Sequence, residues 1–474
     1  MLRRLVARVP SAARSLSTRA LGYSLSVPSS DARIHVGSTG IVLEAPTAGV
    51  TQPFVFDYVW LRDACRSAES VHPSTQQKLF HTTDVPLAAP GDSLLHASEQ
   101  PVRIAGSADA PELLIDYSPK HAVVNEFTRT ISPEAVKVAD APHTARIPLS
   151  LLFDHAVAKR YAASHCDVLS VAEPWDAATL KENGRPLSIS WPEVKTPQGL
   201  LALLTAALRD GFAFVTELPT EKTSSEPGPD AASLRELATT IGTLRHTLYG
   251  TLWNVQSIAE SRNIAYTNLD LGFHMDLLYF QNPPRFQLLH MLRKTVSGGQ
   301  NLFVDSMKIA EIMWEHHRDE WEALAETPVA YHYVNAGEHY YYTHPVFEVA
   351  APAEGHAGPS LRGTMPRLAA INYSPPFQAP LPLQSPALRD PARRELFLRA
   401  FNRFARLTHD RGMIFERALE PGECVLFDNR RVLHSRTGFE WNESEKGHIG
   451  RWLKGAYVEG DSVWSRYRAL RNAQ

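Results

Sequence analysis

Gly272-Phe273-His274-Met275-Asp276 sets an imidazole and a carboxylate two residues apart. On a strand, positions i and i+2 face one side, so both side chains could reach a single ion. The chain carries a second such pair, His317-Arg318-Asp319, inside a run over residues 309–325 whose apolar spacing reads as helix. In a helix, positions i and i+2 point roughly 200° apart, so that pair cannot share a metal in the same way. A third donor stands at the end of Asp428-Asn429-Arg430-Arg431-Val432-Leu433-His434, where an apolar strand runs into a polar turn and then a histidine. Two histidines and one carboxylate, with coordination positions left open, form the ligand set of non-haem iron(II) oxygenases. Further on, Arg451 lies in the strand-like run Gly450-Arg451-Trp452-Leu453-Lys454-Gly455-Ala456-Tyr457. A guanidinium there can grip a carboxylate through two parallel hydrogen bonds, as the far end of a dicarboxylate cosubstrate requires. Taken singly, each of these residues is an ordinary core or surface residue; the joint pattern carries the reading.

The elements around these residues are mostly extended. Apolar runs recur at 211–215, 287–292, 302–304, 368–372, 424–427 and 452–458, with helical spacing at 196–209, about 306–325 and 390–407. Many strands with a few helices predict a β-barrel or jelly-roll core with helical buttresses over residues 191–474. Upstream, residues 31–135 read as short extended pieces such as Gly40-Ile41-Val42-Leu43 and Glu112-Leu113-Leu114-Ile115 between Pro, Gly and Ser turns, predicting a small β domain. Residues 136–190 form a connector with helical stretches such as 151–162, and the Ala/Pro/Gly-rich stretch 350–366 reads as a long surface loop.

Composition bounds the partners. The 474 residues fit two domains, and 44% hydrophobic with 21% charged residues is the balance of a globular protein. No stretch of about 18 consecutive apolar residues predicts a membrane span. A formal charge of −3 gives no electrostatic reason for a nucleic-acid partner, so a small-molecule substrate is expected. Three scattered cysteines, Cys65, Cys166 and Cys424, make no disulfide framework. The first 30 residues hold Arg3, Arg4, Arg8, Arg14 and Arg19 among small and hydroxylated residues, with no acid before Asp31. This is the composition of a mitochondrial presequence, so import to the matrix is expected.

With these residues in view, the chain resembles the taurine dioxygenase-like superfamily, and within it the branch of γ-butyrobetaine dioxygenase and trimethyllysine dioxygenase. The resemblance runs over nearly all of the chain after the presequence, and is densest in HMDLLYFQNPPRFQLLHMLRKTVSGGQNLFVD (274–305) and in DNRRVLHSR and GRWLKGAY (428–457). It implies a double-stranded β-helix catalytic domain, mainly β with helices, and Fe(II), 2-oxoglutarate and O2 as metal and cosubstrates. It also implies hydroxylation of a C–H bond with release of succinate and CO2. On that resemblance His274, Asp276 and His434 hold iron, Arg451 binds 2-oxoglutarate, and Asn301 stands where relatives have Thr or Ser facing the cosubstrate. Tyr249, Trp253, Tyr266 and Tyr457 match aromatic positions of a pocket for a trimethylammonium group, and Asn263 matches a polar one.

The chain also departs from the pattern. Leu277 follows the Asp ligand where γ-butyrobetaine dioxygenase has Tyr, and Ser374-Pro375 fall where an Asn pair would be expected. The run Trp60-Leu61-Arg62-Asp63-Ala64-Cys65 resembles the opening of the family's zinc-binding module, but only Cys65 and His121 remain, with Ser67 and Ser70 at the other positions. A hydroxyl is a poor zinc ligand, so no tight structural zinc is expected. The leading expectation is a dioxygenase acting on a small betaine or trimethylated amino acid, as in carnitine synthesis. The same chemistry on another small acid or a taurine-like sulfonate, and a homologue without turnover, stand beside it. The resemblance further implies a homodimer.

Overall fold

The computed structural model describes residues 22–28, 30–82, 85, 93–118, 143–157, 160–161, 171–256, 271–335, 337–350, 365–441 and 450–473. The chain divides into two compact units, Met1–His165 and Cys166–Gln474.

In the first unit, β1 (Tyr23–Ser26), β2 (Arg33–Val36), β3 (Gly40–Ala45) and β4 (Val50–Asp57) form an antiparallel sheet in chain order. Beyond α1 (Tyr58–Asp63), a second antiparallel sheet joins β5 (Val102–Gly106), β6 (Pro111–Tyr117) and β7 (His143–Pro148). Ile41 and Leu43, Leu113 and Ile115, and Ala145 and Ile147 are buried at every second position, the period of a half-buried strand. Asp57 caps α1 by accepting from the Trp60 amide at 2.8 Å.

Two expectations are corrected here, and a third falls outside the described residues. β1 lies inside the segment read as presequence, yet it pairs with β2 along its whole length, and the Tyr23 hydroxyl donates to the Val102 carbonyl at 2.8 Å. A leader ending at about residue 30 would take β1 out of this sheet. The small unit also reaches past residue 135, because β7 pairs with β6 and leads into α2 (Leu149–Ala156). In His143–Pro148 small and polar residues dilute the alternation, which hid the strand. Lastly, His121 lies outside the described residues, and the imidazole beside Cys65 is that of His143, with Nε2 3.4 Å from Sγ. Ser67 lies 3.3 Å from the same sulfur, and Arg62 donates to Ser70. Burial alone would raise the Cys65 thiol, but His143 and the two serine hydroxyls outweigh it and bring it down to about 6.

The second unit is built on two facing sheets. One has the order β10 (Leu252–Gln256), β23 (Arg451–Val458), β12 (Phe286–Lys294), β20 (Cys424–Asp428), β9 (Phe212–Thr216), β8 (Ser188–Ser190). The other runs β11 (Leu271–His274), β21 (Val432–Arg436), β14 (Asn301–Asp305), β19 (Ile414–Arg417), and β13 (Val296–Gly298) pairs separately with β22 (Phe439–Trp441). Phe212, Phe214, Met291, Phe427 and Leu453 from the first meet Phe303 and Val432 from the second in one buried cluster. Non-consecutive neighbours in both sheets give the double-stranded β-helix, mainly β with helices around it.

Helices cover both outer faces. Leu203 and Leu204 of α3 (Pro197–Arg209), Leu237 of α4 (Ser233–Ile241) and Val463 of α8 (Gly460–Asn472) pack with Leu288, Leu426 and Ala456 of the large sheet. The other sheet's outward Val304 and Leu433 pack with α5 (Ser306–His316), α6 (Arg318–Glu326) and α7 (Pro391–Thr408). The run read as one helix over 309–325 is thus two, meeting at His317 (φ −144, ψ 56), which belongs to neither. His317 is this break and Asp319 stands in the first turn of α6, so the two do not share one helix. Among the described residues no third donor gathers with them. Between α6 and α7 lie the hairpin of β15 (Pro328–Asn335) and β16 (Glu338–Pro345) and the pair β17 (Phe347–Val349) and β18 (Leu368–Ile371). Residues 351–364, most of the expected surface loop, lie outside the described residues. No helix among the described residues is long and apolar enough to cross a membrane.

Candidate active site

The side-chain period of a strand decides which residues enter the space between the sheets. Along β23, Arg451, Leu453 and Tyr457 face inward, while Lys454 and Ala456 face the helices. β12 contributes Gln287 and Leu289, β10 Trp253 and Val255, β14 Asn301, and β21 His434 and Arg436. These residues line one pocket together with His274 and Asp276.

His274 is the last residue of β11 and pairs with His434 across the ladder, their ring centroids 4.2 Å apart. Asp276 is not on that strand. It sits in the turn that follows, next to Leu277, whose φ of +61 is the left-handed region that a branched side chain rarely enters. The two-residue spacing therefore works through a turn, not through the pleat that the sequence suggested. Ligand atoms of His274, Asp276 and His434 lie within 4.8 Å of one another, the only such group of three or more His, Cys, Asp or Glu among the described residues.

Hydrogen bonds orient two of the donors, His274 and Asp276. His274 Nδ1 lies 2.8 Å from the Gly272 carbonyl, which fixes the tautomer with Nδ1 protonated and leaves Nε2, 3.4 Å from Asp276 Oδ1, free as a donor atom. Tyr457 donates its hydroxyl to Asp276 Oδ2 at 2.8 Å. Burial alone would raise the Asp276 carboxyl, but the adjacent His274 and His434 imidazoles and the Tyr457 hydroxyl overcome it and hold the group below the usual carboxylate range. Burial, reinforced by His274, pushes His434 down to about 3, so its imidazole is neutral at physiological pH, the form that binds metal. His434 Nδ1 is buried without a hydrogen-bond partner. A neutral His434, a His274 whose Nε2 faces the carboxylate, and an ionised Asp276 fit a divalent iron ion.

Arg451 is buried, 4% exposed, and no carboxylate pairs with it among the described residues. Burial and the neighbouring Arg436 push it down to about 9. A guanidinium does not give up its proton in practice, so an incoming carboxylate would meet a buried cation there. Gly298 and Gly299, both at positive φ, turn the chain over it; a side chain on Gly299 would meet Arg451 Nε at 3.4 Å. Asn301 donates to the Arg417 carbonyl at 3.3 Å and faces the same pocket.

Tyr249, Trp253 and Tyr457 gather at the pocket's other side, Trp253 stacked on Tyr457 with centroids 4.1 Å apart. Asn263 and Tyr266 lie outside the described residues. Ser374 is buried, and the turn it opens carries Pro376 and Phe377 into the pocket wall. The sequence reading did not single out Gln287, Tyr279, Phe377 or Arg436. Arg436 was recoverable, since it stands two positions after His434 on the same strand and must share its face.

Residues 177–457 match the family model described as "Taurine catabolism dioxygenase TauD, TfdA family". A protein of Strobilurus tenacellus named Dioxygenase str8 is 38% identical over 420 residues, covering 88% of this chain and 85% of its own. The gamma-butyrobetaine dioxygenase of a Pseudomonas species is 26% identical over 415 residues, covering 88% of this chain and 90% of its own. The mitochondrial trimethyllysine dioxygenase of Bos taurus is 27% identical over 419 residues, covering 88% and 82%. The matched segment runs from ahead of the first strand of the large unit to Tyr457, and so spans both sheets and all three donors. This chain belongs to the taurine catabolism dioxygenase TauD, TfdA family and is a 2-oxoglutarate-dependent dioxygenase.

Proposed function

We propose that His274, Asp276 and His434 bind iron(II), that Arg451 anchors 2-oxoglutarate, and that the enzyme hydroxylates a C–H bond of a small molecule with O2, releasing succinate and CO2. The observation that carries this reading is the convergence of the three donors on a pocket that the buried Arg451 also lines. The iron, when bound, supplies chelation of the 2-oxo acid and activation of O2. The chain's own residues do the rest. Arg451 takes the distal carboxylate of the cosubstrate, Asn301 offers an amide beside it, and Trp253, Leu289 and Leu453 keep water from the reacting centre.

For the substrate we favour a small betaine or trimethylated amino acid, of the γ-butyrobetaine or trimethyllysine kind. Relatives bearing those names support it, as does the gathering of Tyr249, Trp253 and Tyr457, since ring faces attract a desolvated cation. A second reading, the same chemistry on another small acid or sulfonate, is favoured by Leu277, an apolar side chain on the pocket wall directly after Asp276. We also propose a mitochondrial matrix location, supported by the arginine-rich, acid-free leader and by the mitochondrial relative.

The test is succinate release from 2-oxoglutarate by protein loaded anaerobically with Fe(II) and then given O2, with γ-butyrobetaine, trimethyllysine and taurine offered separately. Stimulation by one of them in wild type, absent in His274→Ala, supports the chemistry and selects the substrate. Slow turnover unaffected by all three removes the betaine reading but leaves the chemistry, on another small acid. Wild type that neither binds Fe(II) nor makes succinate overturns the proposal.

A further inference from the structure

The two oxygens of the Asp276 carboxylate have different surroundings. Oδ1 faces the imidazole of His274, 3.4 Å from Nε2, while Oδ2 accepts the Tyr457 hydroxyl at 2.8 Å. Resting on the iron site proposed above, we infer that Tyr457 is a positioning residue. It withholds one oxygen of Asp276 from the metal, so that the carboxylate binds through the other alone and leaves room for the cosubstrate.

The phenol can do this because its own place is fixed. Its ring stacks on Trp253, centroids 4.1 Å apart and 27° between planes. Trp253 in turn lies over Gly455, its register partner across the β10–β23 ladder, where any side chain would run into the indole. Tyr457 is 2% exposed, so neither water nor a rotamer change competes for the hydroxyl. At the other end of the carboxylate, Asn429 holds the Asp276 backbone. Asp276 sits in a turn, where no ladder fixes its side chain, and the phenol supplies the restraint that a strand position would have given. Groups that hold a ligand carboxylate in this way typically change metal affinity by roughly 10- to 100-fold when removed.

The second consequence concerns substrate. The face of Tyr457 lines the substrate pocket while its hydroxyl touches the metal carboxylate, so one side chain serves both. Packing against the Trp253–Tyr457 pair is then transmitted to Asp276 through a single rigid ring.

The experiment is anaerobic Fe(II) titration of metal-free wild type, Tyr457→Phe, Trp253→Ala and Trp253→Phe, together with the visible absorption of the iron–2-oxoglutarate chelate. Thermal midpoints of the metal-free proteins report folding. Tyr457→Phe keeps the stacked ring and is expected to weaken Fe(II) roughly 10- to 100-fold and to shift the chelate band. Trp253→Ala, which leaves the hydroxyl but frees the ring, should weaken Fe(II) by a smaller factor, and Trp253→Phe should recover it. A folded Tyr457→Phe that binds Fe(II) as wild type does, with an unshifted band, overturns the inference. If Tyr457→Phe does not fold, unchanged affinity in Trp253→Ala overturns it instead. Failure of wild type to bind Fe(II) removes the iron site itself, an outcome distinct from either.

Discussion

Asn429 brackets the backbone of Asp276. Its side-chain oxygen accepts from the Asp276 amide at 2.8 Å, and its Nδ2 donates to the Asp276 carbonyl at 3.0 Å and to the Pro284 carbonyl at 3.1 Å. The amide side chain is fully buried, so each bond left unmade would strand a dehydrated backbone group. Asn429→Ala should therefore lower the stability of the metal-free protein by about 2–4 kcal/mol, measured by chemical denaturation. It should weaken Fe(II) binding as well, because the turn bearing Asp276 loses its tether. Unchanged stability and iron affinity would show that the bracket is incidental.

This turn also marks how far the sequence could be read. The three donors were legible because residue type and rough spacing suffice to nominate metal ligands. The strands bearing His434, Arg451 and Asn301 were legible because apolar runs bounded by Gly and polar turns leave few other readings. The place of Asp276 was not, since a left-handed residue at Leu277 has no sequence signature when it is not Gly or Asn. The break at His317 was missed because apolar spacing continues across it from α5 to α6. Asn429 gave no signal of its role: its partners are backbone groups of residues 276 and 284, brought to it only by the fold.

Arg451 offers a test of cosubstrate binding separable from iron. Arg451→Lys keeps the charge but cannot make two parallel bonds to one carboxylate. The KM for 2-oxoglutarate should rise about 10- to 100-fold, the equivalent of a charge-assisted hydrogen bond, with Fe(II) affinity unchanged. A KM for 2-oxoglutarate equal to that of wild type would place the distal carboxylate elsewhere.

His290 predicts a pH dependence of stability remote from the site. It faces the helix layer beside Lys454, completely buried, with Nδ1 unpartnered and Nε2 3.3 Å from the Leu218 carbonyl. Burial, with Lys454 adding to it, pushes the imidazole down to about 4. The unfolded chain titrates near 6.5, so between those values it binds more protons than the folded chain. Stability is thus fully present above about pH 6.5 and falls as the pH drops toward about 4, by on the order of 3 kcal/mol. His290→Gln should flatten this slope in denaturation midpoints recorded from pH 7 to pH 4. A slope equal to that of wild type would assign the acid sensitivity to other groups.

The ion pair of Asp305 and Arg431 bears on how β14 and β21, which carry Asn301 and His434, are joined to the rest of the unit. Arg431 Nε and Nη2 meet the two Asp305 oxygens at 3.1 and 2.6 Å, both side chains almost wholly buried. Removing Asp305 alone leaves a buried cation, which should cost about 3–5 kcal/mol. Replacing both partners of a buried pair by apolar residues is often neutral or stabilising. Here it should not be. Arg431 also donates to the carbonyls of Glu173, Leu208 and Arg209, and Asp305 accepts from the amides of Trp175 and Met307. An Asp305→Leu, Arg431→Met double variant would strand four of those backbone groups, the Arg209 carbonyl keeping the Glu173 amide at 2.8 Å. It should remain destabilised by several kcal/mol, each unmet group costing about 1 kcal/mol or more. Denaturation of wild type, both single variants and the double variant closes the cycle. Recovery of wild-type stability in the double variant would mean that the pair serves mainly each other's charge. A persistent deficit would mean that it is a polar joint binding the connector to the sheet that carries His274 and His434.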